Sequence, residues 1–262
     1  MKRDELNHAG AKENGKKSIL TLIAFFAASF VFFAFFAWYV GFYQEKQSLF
    51  IFTADYFHET VRQPGSLLVY LSRFVTTFFH FPLLSGLLIS LIIFLSIWMI
   101  SGIITLLSGR TGILVPLLFG IAFLLLQGNY QYLIQNNLGI LLQLILFYLS
   151  LRYLRGWLPV ALFPFWYLAT GGFAWMFAMM YSLHLGMLSL RKEWPKIIIM
   201  TGFTFILIYF LSEFVMFRNF RDMLVYPLSP EGTGSPLILF PFVAAAVILL
   251  PAIARIRIRI PL

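Results

Sequence analysis

The sequence of 262 residues contains no cysteine, and charged residues make up only 11% of it. The absence of cysteine excludes disulfide bonds, thiolate metal sites and catalysis by a cysteine nucleophile. A soluble domain carries about 25% charged residues, whereas 61% of this chain is hydrophobic and its mean hydropathy is +0.88. Such a composition cannot cover a water-soluble surface, so we expect an integral membrane protein.

Long uncharged runs divide the chain into candidate membrane spans. A transmembrane helix needs about 20 apolar residues, and the runs predict an all-α, polytopic bundle of about eight transmembrane helices. The predicted spans are 18–42, 83–107, 112–127, 137–151, 157–171, 172–190, 197–213 and 236–254. The polar string from Gln127 to Asn137 separates the third span from the fourth, and the sequence at 170–172 predicts a turn between the fifth and the sixth. A re-entrant pair over 157–190 is the alternative to that division.

Lysine and arginine are distributed unevenly between the two sides of this arrangement. One side carries 14 of the 19, and the other side carries the remaining five. These five are Lys46, Arg62, Arg73, Arg218 and Arg221. Because cytoplasmic loops carry the excess, the basic N-terminus (1–17) and the basic tail (255–262) are predicted to be cytoplasmic. The net charge of +9 is therefore an orientation signal, and the predicted partners are membrane lipids and not nucleic acid.

The compartment follows from a second absence, since the sequence contains no Asn-x-Ser/Thr sequon. The outer loops therefore offer no acceptor for an N-linked glycan. This favours the bacterial inner membrane as the location of the protein. Within the transmembrane domain (18–254), two outer segments are long enough to house chemistry, 43–81 and 213–235.

The first outer segment has the pattern of two short helices on either side of a Pro-Gly pair. In the first helix Asp55, His58, Glu59 and Arg62 follow each other at helical spacing, so they would share one face. In the second helix a polar stripe crosses an apolar surface, as in helices that lie at a membrane interface. The stripe consists of Ser66, Tyr70, Arg73, Thr77 and His80.

Two interpretations of these polar residues remain open. They are either the solvated faces of two interfacial helices or a site for an anionic, phosphate-bearing lipid. Arginine suits phosphate, and a carboxylate can accept the proton of a hydroxyl nucleophile. In the second interpretation the substrate-binding residues are His58, Arg62, Arg73, His80, Arg218 and Arg221, with Asp55 and Glu59 as the candidates for catalysis.

The order of a basic N-terminus, a first span and an acidic residue on paired outer helices resembles the membrane glycosyltransferases of the GT-C superfamily, over roughly residues 1–110. The resemblance implies a catalytic carboxylate in the first outer loop, which maps onto Asp55, with Glu59 as the second choice. It also implies a polyprenyl-phosphate-linked sugar as the donor. Members of the superfamily usually have more spans, so this chain would be a reduced relative, a fragment or not a transferase. Its layout also resembles uncharacterised multispanning bacterial membrane proteins, which implies no activity.

The remaining features allow further alternatives. The sequence requires no cofactor, although a divalent cation could bridge Asp55 and a phosphate. A Met176, Met180, His184 and Met187 series in the sixth span could bind Cu(I) or could be ordinary core packing. The polar string at 127–137 is either a short wet turn or the lining of a cavity. A transporter or flippase subunit and a non-catalytic membrane scaffold are the alternative functions, and the lack of charged residues inside the spans weakens proton-coupled transport.

Overall fold

The computed structural model describes residues 19–48, 50–61, 63–109, 112–154, 156–217, 219–228, 243–244 and 247–248, without the side chains of 188–192. All regular secondary structure in this part of the chain is helical, which confirms the all-α prediction. The predicted cytoplasmic N-terminus and tail, Arg62, Arg218 and most of the eighth predicted span lie outside the described residues.

Ten helices follow one another along the described chain. The first is α1, Ile19–Phe36, whose last turn is a π-helix over Phe32–Phe36. The others are α2 (Trp38–Gln47), α3 (Ala54–Thr60), α4 (Ser66–Thr76), α5 (Pro82–Ser108), α6 (Leu114–Gln127), α7 (Ile134–Arg152), α8 (Leu158–Thr170), α9 (Ala174–Phe210) and α10 (Phe220–Val225). The two short helices predicted in the first outer segment are α3 and α4.

Five segments of the described chain are long and apolar enough to cross a membrane. They are Ile19–Phe36, Pro82–Ser108, Ile134–Arg152, Leu158–Met187 and Glu193–Met216. Helix α6 is apolar but shorter. The chain is therefore a membrane protein with five candidate spanning segments among its described residues, where the sequence predicted eight spans over the whole chain.

The segment Leu158–Met187 is a helical hairpin and not a straight rod. The Phe163 and Phe177 rings lie 6.0 Å apart, although a straight helix would separate residues 14 positions apart by about 21 Å. The chain reverses at a 3-10 turn over Gly171–Phe173, where the sequence predicted a turn.

A second reversal lies within α9. The Trp175 and Phe205 rings lie 5.2 Å apart, whereas 30 residues of straight helix would span about 45 Å. Pro195 lies inside this stretch of helix, and a proline removes a backbone hydrogen bond and bends a helix. We call residues 174–187 the first leg of α9 and residues 193–210 the second leg. The two legs run alongside each other. They correspond to the stretches that the sequence analysis assigned to the sixth and seventh spans.

Helix α5 is the centre of the bundle and packs against α1, α6 and α7. Its buried face includes Ile93, Ile97 and Ile100, which are fully enclosed. Small residues allow the closest approach, because a Cβ atom on Gly86 would lie 2.7 Å from the Ala34 backbone nitrogen. Close backbone packing at small residues is typical of helices associating in membranes.

One end of the bundle is covered by helix α4, and we call it the α4 end. The backbone of Gly65, just before α4, donates a hydrogen bond to the Leu168 carbonyl at the end of α8 (2.8 Å). At the other end of α4, the Thr76 hydroxyl contacts the hydroxyl of Ser48, the residue that follows α2. Helix α4 thus lies across the bundle end. It is separate from α5, because a 3-10 turn over Thr77–His80 and the extended residue Phe81 intervene.

Candidate functional site

A cleft of about 150 Å³ opens at the α4 end, between α2, α4 and the start of α7. Its lining consists of Gln44, Gln47, Ser48, Val69, Ser72, Arg73, Thr76, Leu133, Ile134 and Gln135. Arg73 is the one charged side chain among these described residues. The cleft therefore combines a single cation with several neutral groups that donate and accept hydrogen bonds.

Helical spacing accounts for the wall that α4 contributes. Val69, Ser72, Arg73 and Thr76 recur every three or four residues, so they lie on one face of α4. Two of the hydroxyls bond to their own helix, as Ser72 Oγ donates to the Val69 carbonyl (2.8 Å) and Thr76 Oγ1 to the Arg73 carbonyl (2.8 Å). This local bonding keeps both hydroxyls within a mainly apolar helix.

Gln44 fixes the opposite wall of the cleft to the turn between α6 and α7. Its Nε2 donates to the Tyr132 carbonyl (3.0 Å), and its Oε1 accepts the Ile134 backbone N–H (3.0 Å). The Gln44 side chain is fully buried, and both ends of its amide are hydrogen-bonded. It therefore joins α2 to the start of α7 at the base of the cleft.

A buried network continues from this point into the polar string of the sequence. Tyr132 Oη donates to Asn137 Oδ1 (3.2 Å), and Asn137 Nδ2 donates to Gln127 Oε1 (2.9 Å). All three side chains are buried, and burial raises the pKa of the Tyr132 hydroxyl, which keeps it a neutral donor. The string therefore combines an exposed turn at 129–131 with a buried network on either side of it, and Gln135 reaches the cleft.

Arg73 connects the cleft to helix α3. Its Nη1 donates a hydrogen bond to Tyr56 Oη (3.0 Å), and both side chains are half-buried. Tyr56 follows Asp55 directly in the sequence. The candidate carboxylate therefore lies on the same short helix that the cleft arginine holds.

The structure separates the predicted site residues. Asp55, His58 and Glu59 are exposed on α3, and none of them is among the described residues that line the cleft. His80 Nδ1 lies 3.8 Å from Glu45 Oε1 at the far end of α4. Arg221 is exposed on α10. Of the predicted residues described by the structure, Arg73 is the one found in the cleft.

Sequence reasoning missed the neutral half of the cleft. Gln44 and Gln47 lie just beyond the predicted end of the first span, so they were assigned to the first outer segment and given no role. The signal available was their spacing, because two glutamines one turn apart after an apolar run mark a polar end of a helix. Ser72 and Thr76 were also missed, since the predicted stripe on α4 was rotated from the observed one by about one residue, or 100°.

The second outer segment is anchored and not simply solvated over its described part. The Tyr167 hydroxyl donates to the Met223 carbonyl (2.6 Å), and Trp175 Nε1 donates to the Leu224 carbonyl (3.2 Å). The Gly172 N–H also donates to the Tyr226 carbonyl (2.8 Å). These bonds attach α10 to the hairpin of α8 and α9. Gln135 extends the attachment to the cleft by donating to the Pro227 carbonyl (3.3 Å).

The methionine and histidine series of the sixth span lies mainly in the core. Met176 and Met180 are fully buried among hydrophobic residues, Met187 is exposed, and the His184 ring lies 6.3 Å from the Phe147 ring. Among the described residues, no cluster of three or more histidine, aspartate or glutamate side chains is suited to hold a metal ion. The surroundings of Met176 and Met180 are those of packing residues.

One protein family matches almost the whole chain. The match covers residues 15–260 and is to a family of unknown function (DUF6057). No curated protein and no solved structure matches the chain.

Proposed function

We propose that this chain, which belongs to the family of unknown function DUF6057, binds the headgroup of a polyprenyl-phosphate-linked sugar in the cleft around Arg73. The observation that carries the proposal is the composition of the cleft, in which one arginine lies among neutral amides, hydroxyls and three apolar side chains. Guanidinium donates two parallel hydrogen bonds to a phosphate. Amide and hydroxyl groups suit the hydroxyls of a sugar, because each can both donate and accept.

The size and the position of the cleft suit a lipid headgroup. A volume of about 150 Å³ corresponds to about five water molecules at their share of the liquid, which is room for the phosphate, so the sugar would extend out of the open mouth of the cleft. The cleft opens at the end of an apolar bundle, where the lipid chain can remain in the bilayer beside the helices while the phosphate reaches Arg73.

We further propose that the reaction is transfer of the sugar, as in GT-C enzymes. A hydroxyl of the acceptor attacks the anomeric carbon, the bond from that carbon to the phosphate oxygen breaks, and a carboxylate accepts the hydroxyl proton. Asp55 is the proposed base and Glu59 the alternative, with the leaving phosphate held by Arg73. The support for Asp55 is its neighbour Tyr56, which is hydrogen-bonded to Arg73.

The proposal places the α4 end on the outer face of a bacterial inner membrane. It retains eight spans, with α6 and the two legs of α9 each crossing once, with 236–254 as the eighth span, and with both termini cytoplasmic. The excess of lysine and arginine in the segments at the other face supports this orientation.

Binding is tested with geranyl phosphate as a short-chain probe and geraniol as its neutral counterpart, on protein purified in detergent. Arg73→Gln should weaken geranyl phosphate binding by about 10- to 100-fold, which corresponds to the loss of a charged hydrogen-bonding partner. Lys46→Gln is the matched control, because Lys46 is an exposed cation on the neighbouring helix and packs over the Phe42 ring. Equal affinities of both variants would contradict the assignment of the phosphate to Arg73.

The transfer step is tested separately by Asp55→Asn, which preserves size and polarity but cannot accept the proton. Sugar transfer from lipids that co-purify with the protein, followed by mass spectrometry, should slow by about 10²- to 10⁴-fold. Binding of geranyl phosphate should be unchanged, since Asp55 does not line the cleft. Transfer at the wild-type rate in both Asp55→Asn and Glu59→Gln would rule out these carboxylates as the base.

A further inference from the structure

We infer that Tyr56 is a latch for the cleft, whose hydroxyl occupies Arg73 until a phosphate replaces it and releases helix α3. This inference rests on the proposed function, because it concerns how the same site is opened and closed. It also explains why the candidate base Asp55 is exposed and outside the cleft, since α3 has to move before its carboxylate can reach a ligand beside Arg73.

The latch is a directed contact between two helices. Arg73 Nη1 lies 3.0 Å from Tyr56 Oη, and Arg73 also lines the cleft. The Tyr56 backbone N–H is in turn bonded to the Thr53 hydroxyl at the start of α3 (3.2 Å). A bond to the Tyr56 side chain therefore sets the position of the first turn of α3, where Asp55 lies.

Aromatic contacts also attach α3 and the residues just before it to α4. The Phe50 and Phe57 rings each lie 5.0 Å from the Tyr70 ring on α4, and Phe50 also contacts Phe74 (5.6 Å). None of the seven described residues of α3 is buried. The face of Tyr70 is a smooth apolar surface and no side chain of α3 is enclosed, so we infer that α3 shifts across Tyr70 once the bond to Arg73 is broken.

A phosphate is a better partner for Arg73 than a phenol. The phenol is neutral and accepts one hydrogen bond, whereas a phosphate is anionic and can accept two from the guanidinium fork. The guanidinium is charged in both cases, but only the phosphate adds an opposite charge and a second hydrogen bond in the fork geometry. A phosphate entering the cleft should therefore displace the Tyr56 hydroxyl, and part of its binding energy is used to break the latch.

The experiment uses the full chain, whose lack of cysteine gives a clean background for spin labels. Ala54→Cys on α3 and Tyr130→Cys on the α6–α7 turn are both exposed positions, and the distance between their labels is measured by electron paramagnetic resonance. Geranyl phosphate should lengthen or broaden the distance distribution, and geraniol should leave it unchanged. Tyr56→Phe should give the altered distribution without any ligand and should bind geranyl phosphate about fivefold more tightly, because it has no bond to break.

The outcomes separate the latch from the proposed function. If geranyl phosphate binds through Arg73 but Tyr56→Phe has the wild-type affinity and distances, the latch is wrong and the binding site stands. A second outcome is that Tyr56→Phe alters the distances but the wild-type protein does not bind geranyl phosphate. In that case the bond holds α3 but the site does not bind phosphate, and the inference of a ligand-driven latch is wrong. Arg73→Gln should show the altered distances and no response to the probe.

Discussion

At the scale of single residues, two glycines decide how the outer segments meet. Gly65 precedes α4 with φ of 84°, and Gly171 ends α8 with φ of 61°. A Cβ atom on Gly65 would lie 2.9 Å from the Gly171 Cα atom, and one on Gly171 would lie 2.2 Å from the Tyr226 carbonyl oxygen. Only a residue without a side chain allows three backbone segments to approach so closely. This junction joins both outer segments to the α8–α9 hairpin.

Replacing Gly171 by alanine should destabilise the protein by at least about 2 kcal/mol, because it adds a steric clash with Tyr226 to the strain of a positive φ. Gly156 provides a matched control, since its φ is 69° but a Cβ atom there meets no atom within 4 Å. Gly156→Ala should therefore show the backbone strain alone. Chemical unfolding of both variants in detergent measures the difference, and equal losses would show that the close approach contributes nothing.

The candidate site could be predicted from the sequence only in its charged part. Arg73 was identified because it lies in a polar stripe at helical spacing and because arginine suits phosphate. The contribution of Gln44 could not be predicted, since its role depends on the Tyr132 carbonyl, 88 residues away. Uncharged polar residues give little sign in a sequence of whether they contact solvent, each other or a ligand.

At the scale of helices, packing between α1 and α5 depends on Gly86. An alanine there would place its Cβ atom within 2.9 Å of three atoms of Ala34, two of them in the backbone, so one helix would have to move. Gly86→Ala should lower the stability by about 1 to 3 kcal/mol. Gly202→Ala in the second leg of α9 is the control, because its Cβ atom meets nothing within 4 Å and alanine favours a helix by about 1 kcal/mol over glycine. Thermal unfolding midpoints should move in opposite directions, and a shared direction would contradict the packing.

Helix ends were predictable where the sequence contains a stop signal. Helix α5 was predicted at 83–107 and observed at Pro82–Ser108, since proline occupies its first turn and Gly109 ends it with a positive φ. Helix α7 begins at Ile134, three residues earlier than predicted. The polar side chains of its first turn are buried, and the amides of Gln135 and Asn137 are hydrogen-bonded within the protein, so they do not need contact with water. The reversal inside α9 was located from the sequence by the charged residues Arg191, Lys192 and Lys196, which separate the sixth predicted span from the seventh.

At the scale of the whole molecule, the described cations fall at two ends of the bundle. Lys46 and Arg73 lie at the α4 end, in α2 and α4. Lys196 lies at the other end, where its ammonium group packs over the Trp157 ring (5.7 Å) and pairs with Glu193. Helices α5 and α7 run from the first end to the second. Residues that the sequence assigned to opposite sides of a membrane are therefore found at opposite ends of the structure.

Orientation can be measured with single cysteines, because the chain has none of its own. In intact bacterial cells an impermeant thiol reagent should label Asn219→Cys, at the exposed start of α10, and should leave Gly109→Cys and Gly156→Cys unlabelled. A side chain at either glycine meets no atom within 4 Å, so both thiols should react once the membrane is permeabilised, which makes permeabilised cells the internal control.

Asn7→Cys and Pro261→Cys extend the test to the termini, and both should behave like the two glycine positions. The expectation follows from the excess of lysine and arginine on that side, since positively charged loops remain in the cytoplasm. Labelling of Gly109→Cys in intact cells would reverse the bundle and place the Arg73 cleft in the cytoplasm.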